Sequence, residues 1–132
     1  QPNAKLAMDI TPPVAADRQL IQGYGKGGFR VSGGRHEGSI LVLPRLTLSW
    51  SLREIENLTI HDLIPLRDAA DTAGVLLLGC GDKGALIAPD LRAEVRSWGM
   101  VIEAMGTGAA CRTYNVLLSE DRDVAAALIA IE

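Results

Sequence analysis

Aromatic residues are scarce in this chain of 132 residues, with two Trp, two Tyr and one Phe, so its core must be aliphatic. Cysteine is nearly absent. Cys80 and Cys111 lie far apart, and neither belongs to a Cys-x-x-Cys pair, which argues against a thiolate metal cage or a redox pair. They read as small buried hydrophobes in a reducing compartment. His36 and His61 have too few neighbouring ligands for a metal site. Basic residues are no more abundant than acidic ones, 13 against 16, and they are scattered, which excludes a nucleic-acid footprint. The apolar runs at residues 40–43 and 75–78 are far too short to span a bilayer, so an integral membrane protein is not expected. The first segment lacks the charged start and apolar middle of a secretory signal.

What remains is an ordinary globular balance, 48% hydrophobic and 22% charged, with 14 glycines. This length supports one domain with its own core. Residues 1–18 carry Pro2, Pro12 and Pro13 with little periodicity and read as an extended lead-in; residues 19–132 read as a single α/β domain.

The first half is β-rich. Leu20 and Ile21 begin a strand, a glycine-rich turn follows, and Phe29-Arg30-Val31 alternates as the second arm of a hairpin. Gly33-Gly34 predicts the next turn. Residues 39–43 form a strand buried on both faces and ended by Pro44, and Leu46, Leu48 and Trp50 give a half-buried strand.

The character changes at Leu58. Thr59 is an N-cap with Asp62 at the capping-box position, and Leu58 with Leu63 occupies the staple positions. Leu63, Leu66, Ala70 and Ala73 continue at helical spacing to a stop at Gly74, with Pro65 predicting a kink or break near Ile64. Strand, helix and strand follow at residues 75–104. Pro89 opens the helix, Leu91, Val95 and Trp98 form its inner face, and Gly99 supplies its stop. A glycine-opened helix and a final strand at residues 124–131 complete the chain, although the alanines of the latter also suit a helix. The βαβ unit brings residues 79–84 and 106–108 to the carboxyl edge of the strands, where open α/β sheets hold ligands.

Two segments match the spacing Gly-x-Gly-x-x-Gly. Gly23, Gly25 and Gly28 precede a strand, so no helix N-terminus is available for a pyrophosphate, and they read as relief for a turn or bulge. Gly79, Gly81 and Gly84 follow a strand, with Glu103 near the end of the next, but the helix starts late, at Pro89; a turn that needs glycine is the favoured reading. The stretch from Gly106 to Asn115 carries more chemistry. With Thr107 as N-cap, its hydroxyl would hold the amide of Ala109 or Ala110, and Gly106 and Gly108 would admit an anion to free backbone donors. Arg112 opposes the helix dipole and needs an anion, a partner carboxylate or an internal acid such as Glu103. Cys111 shares the apolar stripe of Ala110, Tyr114 and Leu118 and faces the core; the competing reading is a helix-activated nucleophile served by His36 or His61. Trp50 and Trp98 read as packing residues.

Residues 21–25, 29–31, 38–44, 76–81 and 106–115 together resemble the family of mitochondrial complex I assembly factor 3 and small bacterial and archaeal proteins, over about residues 19–131. The resemblance implies a three-layer α/β domain with a central mixed sheet and no established enzyme activity. It also implies binding to subunits and another factor during membrane-complex assembly. The absence of an Arg-rich, Ser-rich transit peptide points to a bacterial cytoplasmic setting, peripheral to a membrane complex at most. The leading expectation is a non-catalytic interaction or assembly module with a protein partner. It would use the glycine-rich edge or the β half for that contact. The alternative is a small-molecule or anion-binding protein or enzyme using the glycine-rich edge at residues 79–84 and 106–112, and the candidate ligand- or partner-binding residues are Gly79, Cys80, Gly81, Gly106, Thr107, Gly108 and Arg112. No cofactor or metal is expected.

Overall fold

A computed structural model describes residues 18–68 and 73–132. Strands β1 (Ile21–Gly25), β2 (Gly28–Val31) and β3 (Gly34–Glu37) form an antiparallel sheet in that order. Its two turns follow one rule. Lys26 and Gly27 (φ 55° and 76°) and Ser32 and Gly33 (φ 48° and 88°) are left-handed pairs, the backbone that a tight hairpin between twisted strands demands. The register slips between Ile21 and Gly23, so a bulge does occupy the first glycine segment. β3 has no counterpart in the sequence reading, which placed only a turn at Gly33-Gly34. Its residues, Gly34, Arg35, His36 and Glu37, give no apolar alternation, and it is an edge strand held by backbone pairing with β2.

A second sheet carries the core. Strands β4 (Ser39–Leu43), β5 (Leu46–Trp50), β6 (Val75–Gly79), β7 (Val101–Met105) and β8 (Ala125–Leu128) assemble in the order β5-β4-β8-β6-β7. β6 pairs parallel with β7 and β8, while β4 pairs antiparallel with β5 and β8. Helices α1 (Ile60–Arg67), α2 (Pro89–Ser97) and α3 (Thr107–Ser119) cover it. Because side chains alternate along a strand, Leu76 and Leu78 of β6 pack with Leu63, Leu66 and Val95 of α1 and α2, whereas Leu77 packs with Ala110, Cys111, Tyr114 and Leu118 of α3. Phe29 and Val31 join the second cluster, so the small sheet and α3 share one face. This is an α/β fold of three layers. In the central strand β8 the helix preference of Ala125, Ala126 and Ala127 yields to tertiary context: neighbours on both sides pair it, and all three alanines are fully buried.

Local signals placed the helix starts well at two of the three helices. The Asp62 carboxylate accepts from the Thr59 N–H (2.8 Å), the return bond of a capping box, and also from the Thr59 hydroxyl (3.1 Å). Pro89 is the first residue of α2, and Gly99 follows its end with φ 102°. Of the kink or break expected near Ile64, the break does not occur at Pro65. The helix runs through it to Arg67, because its own N–H is the one donor lost while Leu63 and Leu66, both fully buried, hold the turn against the core. α1 therefore ends before Gly74; Ala70 and the lead-in of residues 1–17 lie outside the described residues. Leu46, expected to be half-buried, is 53% exposed at the start of the edge strand β5.

Candidate functional site

The two glycine segments meet at the carboxyl end of the parallel strands, as the chain order predicts. They are closed on each other. Cys80 N–H donates to the Met105 carbonyl (2.8 Å) and Thr107 N–H to the Gly81 carbonyl (2.8 Å). Thr107 Oγ1 accepts from Gly81 N–H (3.0 Å) and donates to the Ile129 carbonyl (2.7 Å), and Ile129 N–H returns to Gly79 (3.0 Å). One fully buried hydroxyl thus ties β6, α3 and the end of β8.

Thr107 is therefore not the N-cap. Gly106 holds that position, and Thr107 is the first helical residue. A capping hydroxyl would turn back to its own helix, but here two strand-end groups buried beside Thr107 capture it, since leaving either unpaired costs more than an uncapped amide near solvent. The glycines serve the same closure. A Cβ on Gly79 would stand 2.9 Å from a Leu128 methyl and 3.0 Å from Thr107 Cα, and one on Gly106 would stand 3.1 Å from the Asp82 carbonyl. Close backbone approach is one demand that these positions meet.

Both thiols are buried, and burial favours their protonated form. Cys111 is buried in the α3 cluster, and desolvation outweighs the nearby Arg112 charge to push its pKa up to about 12. Burial also raises the Cys80 thiol, whose Sγ lies 3.6 Å from the Leu78 carbonyl. His61 belongs to α1, on the opposite face of the sheet from α3. The nucleophile reading of Cys111 has no support here.

One open part of the site is a recess of about 340 Å³ lined by Cys80, Gly81, Asp82, Ile129 and Glu132, and another lies one turn along α3. Tyr24 of β1 lies over Gly108, where an added Cβ would stand 2.7 Å from the phenol oxygen. Arg112 Nη1 donates to that oxygen at 3.0 Å. Asn115, a further turn portion along, accepts from Ile21 N–H (3.2 Å) and donates to the Ile21 carbonyl (2.6 Å), so its amide caps the outer edge of β1. A cleft of about 190 Å³ runs between β1 and α3 along these residues. Among the described residues Arg112 has no carboxylate in ion-pair range; the expected partner Glu103 does not pair with it. Tyr24 is the residue that sequence reasoning missed. Its signal was an aromatic side chain between two glycines in a chain that has few aromatics. Among the described residues there is no group of three potential metal ligands, and no helix is long and apolar enough to cross a membrane.

Residues 21–129 match the model of a family described as protein of unknown function DUF498/DUF598. The chain belongs to this family. It is 38% identical over 109 residues to an uncharacterised protein of Rhodobacter capsulatus, covering 83% of this chain and 82% of that one. It is 30% identical over 115 residues to NADH dehydrogenase [ubiquinone] 1 alpha subcomplex assembly factor 3 of Xenopus tropicalis, covering 87% of this chain but only 63% of the relative. A crystal structure described as an outer membrane protein of Bartonella henselae superposes with a TM-score of 0.82 at 36% identity, over 92% of this chain and 99% of that one. A Bordetella pertussis solution structure described as a Mth938-like domain gives a TM-score of 0.74 at 28% identity, over 90% and 89%. Homology to an assembly factor is thus established for this DUF498/DUF598 member.

Proposed function

We propose that this family member is a non-catalytic interaction module of the assembly-factor kind, which binds a protein partner during biogenesis of a membrane complex. One observation carries this reading. At the sheet edge where an α/β enzyme would admit its ligand the two glycine segments are tied to each other through the Thr107 hydroxyl, and what stays open beside them is a recess of about 340 Å³ at Cys80, Gly81 and Asp82. Buried thiols leave that edge without a nucleophile, and the relatives named as assembly factors point the same way. The contact surface proposed here is the shelf of Tyr24 and Arg112, which offers an aromatic ring and a guanidinium with no carboxylate in ion-pair range among the described residues, a pair favoured at protein interfaces. The working location is the cytoplasm, at the periphery of that complex.

Quantitative affinity capture from cells expressing the tagged chain at native level tests this, with Tyr24→Ala and Arg112→Ala alongside. A defined stoichiometric partner lost in both variants is expected. Non-specific proteins retained equally by all three chains would sink the reading.

A second reading keeps one specific observation in its favour: Arg112 stands beside Gly108 near the start of α3, where a bound carboxylate or phosphate would find both a cation and the helix dipole. Thermal-shift measurements with phosphates, nucleotides and carboxylates separate the two. An anion ligand raises the melting temperature of wild type and not of Arg112→Ala.

A further inference from the structure

Leu86 is fully exposed (101%), the most exposed large apolar side chain among the described residues. Its loop is not loose. Ala85 and Ile87 on either side of it pack on the core, so exposure alternates along residues 85–88 and Leu86 projects on the same side as Ala88, about 7 Å away in extended chain. Ala88 is one wall of an open groove of about 450 Å³ between Leu58 and Ile60 on one side and Leu91 on the other. These three side chains also touch the core, which makes the floor apolar, and Asp90 and Glu94 form an acidic rim.

A protruding apolar tip and an apolar recess therefore lie side by side on one face. A two-fold axis between them brings each tip of a pair into the other's recess, the self-complementary geometry of an isologous dimer. Charge agrees. Lys83 precedes the tip by three residues, and among the described residues neither Lys83 nor Glu94 has an ion-pair partner within its own chain. The occupant that carries an apolar tip beside a cation is a second copy of this chain. We propose that two copies pair reciprocally, Leu86 of each filling the groove between α1 and α2 of the other, with Lys83 facing the acidic rim. This face is separate from the Tyr24–Arg112 shelf, so its failure would leave the interaction reading intact.

Sedimentation velocity of the full chain from micromolar to millimolar concentration tests the pairing. Wild type shows a concentration-dependent dimer. Leu86→Ser, a change at a solvent-facing position that leaves the fold in place by circular dichroism, weakens it at least about tenfold. Glu94→Lys weakens it to a smaller extent, and Lys83→Glu introduced into the same chain recovers the loss, which a merely structural role of Glu94 would not produce. A chain that stays monomeric at millimolar concentration, or a dimer that L86S leaves unchanged, overturns the proposal. So does a partner of different sequence that alone fills the groove.

Discussion

Residues 23–28 and 79–84 carry the same glycine spacing, and each segment divides it between two uses. In the first, Gly25 (φ 120°) serves backbone conformation and no atom crowds it, whereas Gly28 serves space, since the His36 carbonyl and the Arg35 guanidinium stand where its side chain would be. In the second, Gly81 (φ 103°) serves backbone conformation, whereas Gly79 serves space, since Thr107 and Leu128 stand where its side chain would be. A motif defined by the absence of side chains reports that something needs room or a left-handed turn; it does not say whether the claimant is a phosphate or the protein itself.

The widest effect is expected on the face that α3 covers. Burial holds the thiols of Cys111, to about 12, and Cys80 above their unfolded value of 9.0, and it raises the Tyr114 phenol too. The folded chain keeps protons that the unfolded chain releases. Stability is therefore full below pH 9 and falls as pH rises toward 12, and Cys111→Ala makes that fall shallower in denaturant titrations. Next in size is Thr107→Val, which keeps shape but strands the Gly81 N–H and the Ile129 carbonyl; it lowers unfolding free energy by about 3 kcal/mol.

The glycines then divide the two uses directly. Gly79→Ala forces the α3 contact apart and costs about 2 kcal/mol. Gly25→Ala meets no atom but must adopt a left-handed backbone, and it costs about 1 kcal/mol. Gly23→Ala meets neither obstacle and changes stability by less than about 0.5 kcal/mol by the same chemical denaturation. A Gly23→Ala loss equal to that of Gly79→Ala would erase the distinction between crowded and open glycines.

Much of the fold was legible along the chain. Apolar alternation and runs marked β4, β5 and β6, Thr59 with Asp62 marked the start of α1, and Pro89 and Gly99 bracketed α2. Such signals act within a few residues, where sterics and one or two hydrogen bonds decide the outcome. β3 was not legible, because a strand of glycine and charged residues is specified by its neighbour's unpaired backbone and not by its own pattern. The meeting of residues 79–84 with 106–108 followed from the order of strands and helices. Its closure did not.

The sequence by itself determined an α/β domain with an aliphatic core and a glycine-opened helix at the carboxyl edge of its parallel strands. Only the tertiary structure decided what Thr107 bonds, since a hydroxyl takes the partners that burial would otherwise leave unpaired, and here they are a donor, the Gly81 N–H, and an acceptor, the Ile129 carbonyl, 26 and 22 residues away. It also decided that Arg112 meets Tyr24, a contact across 88 residues. Long-range pairing of this kind depends on how layers stack, and no local periodicity encodes it.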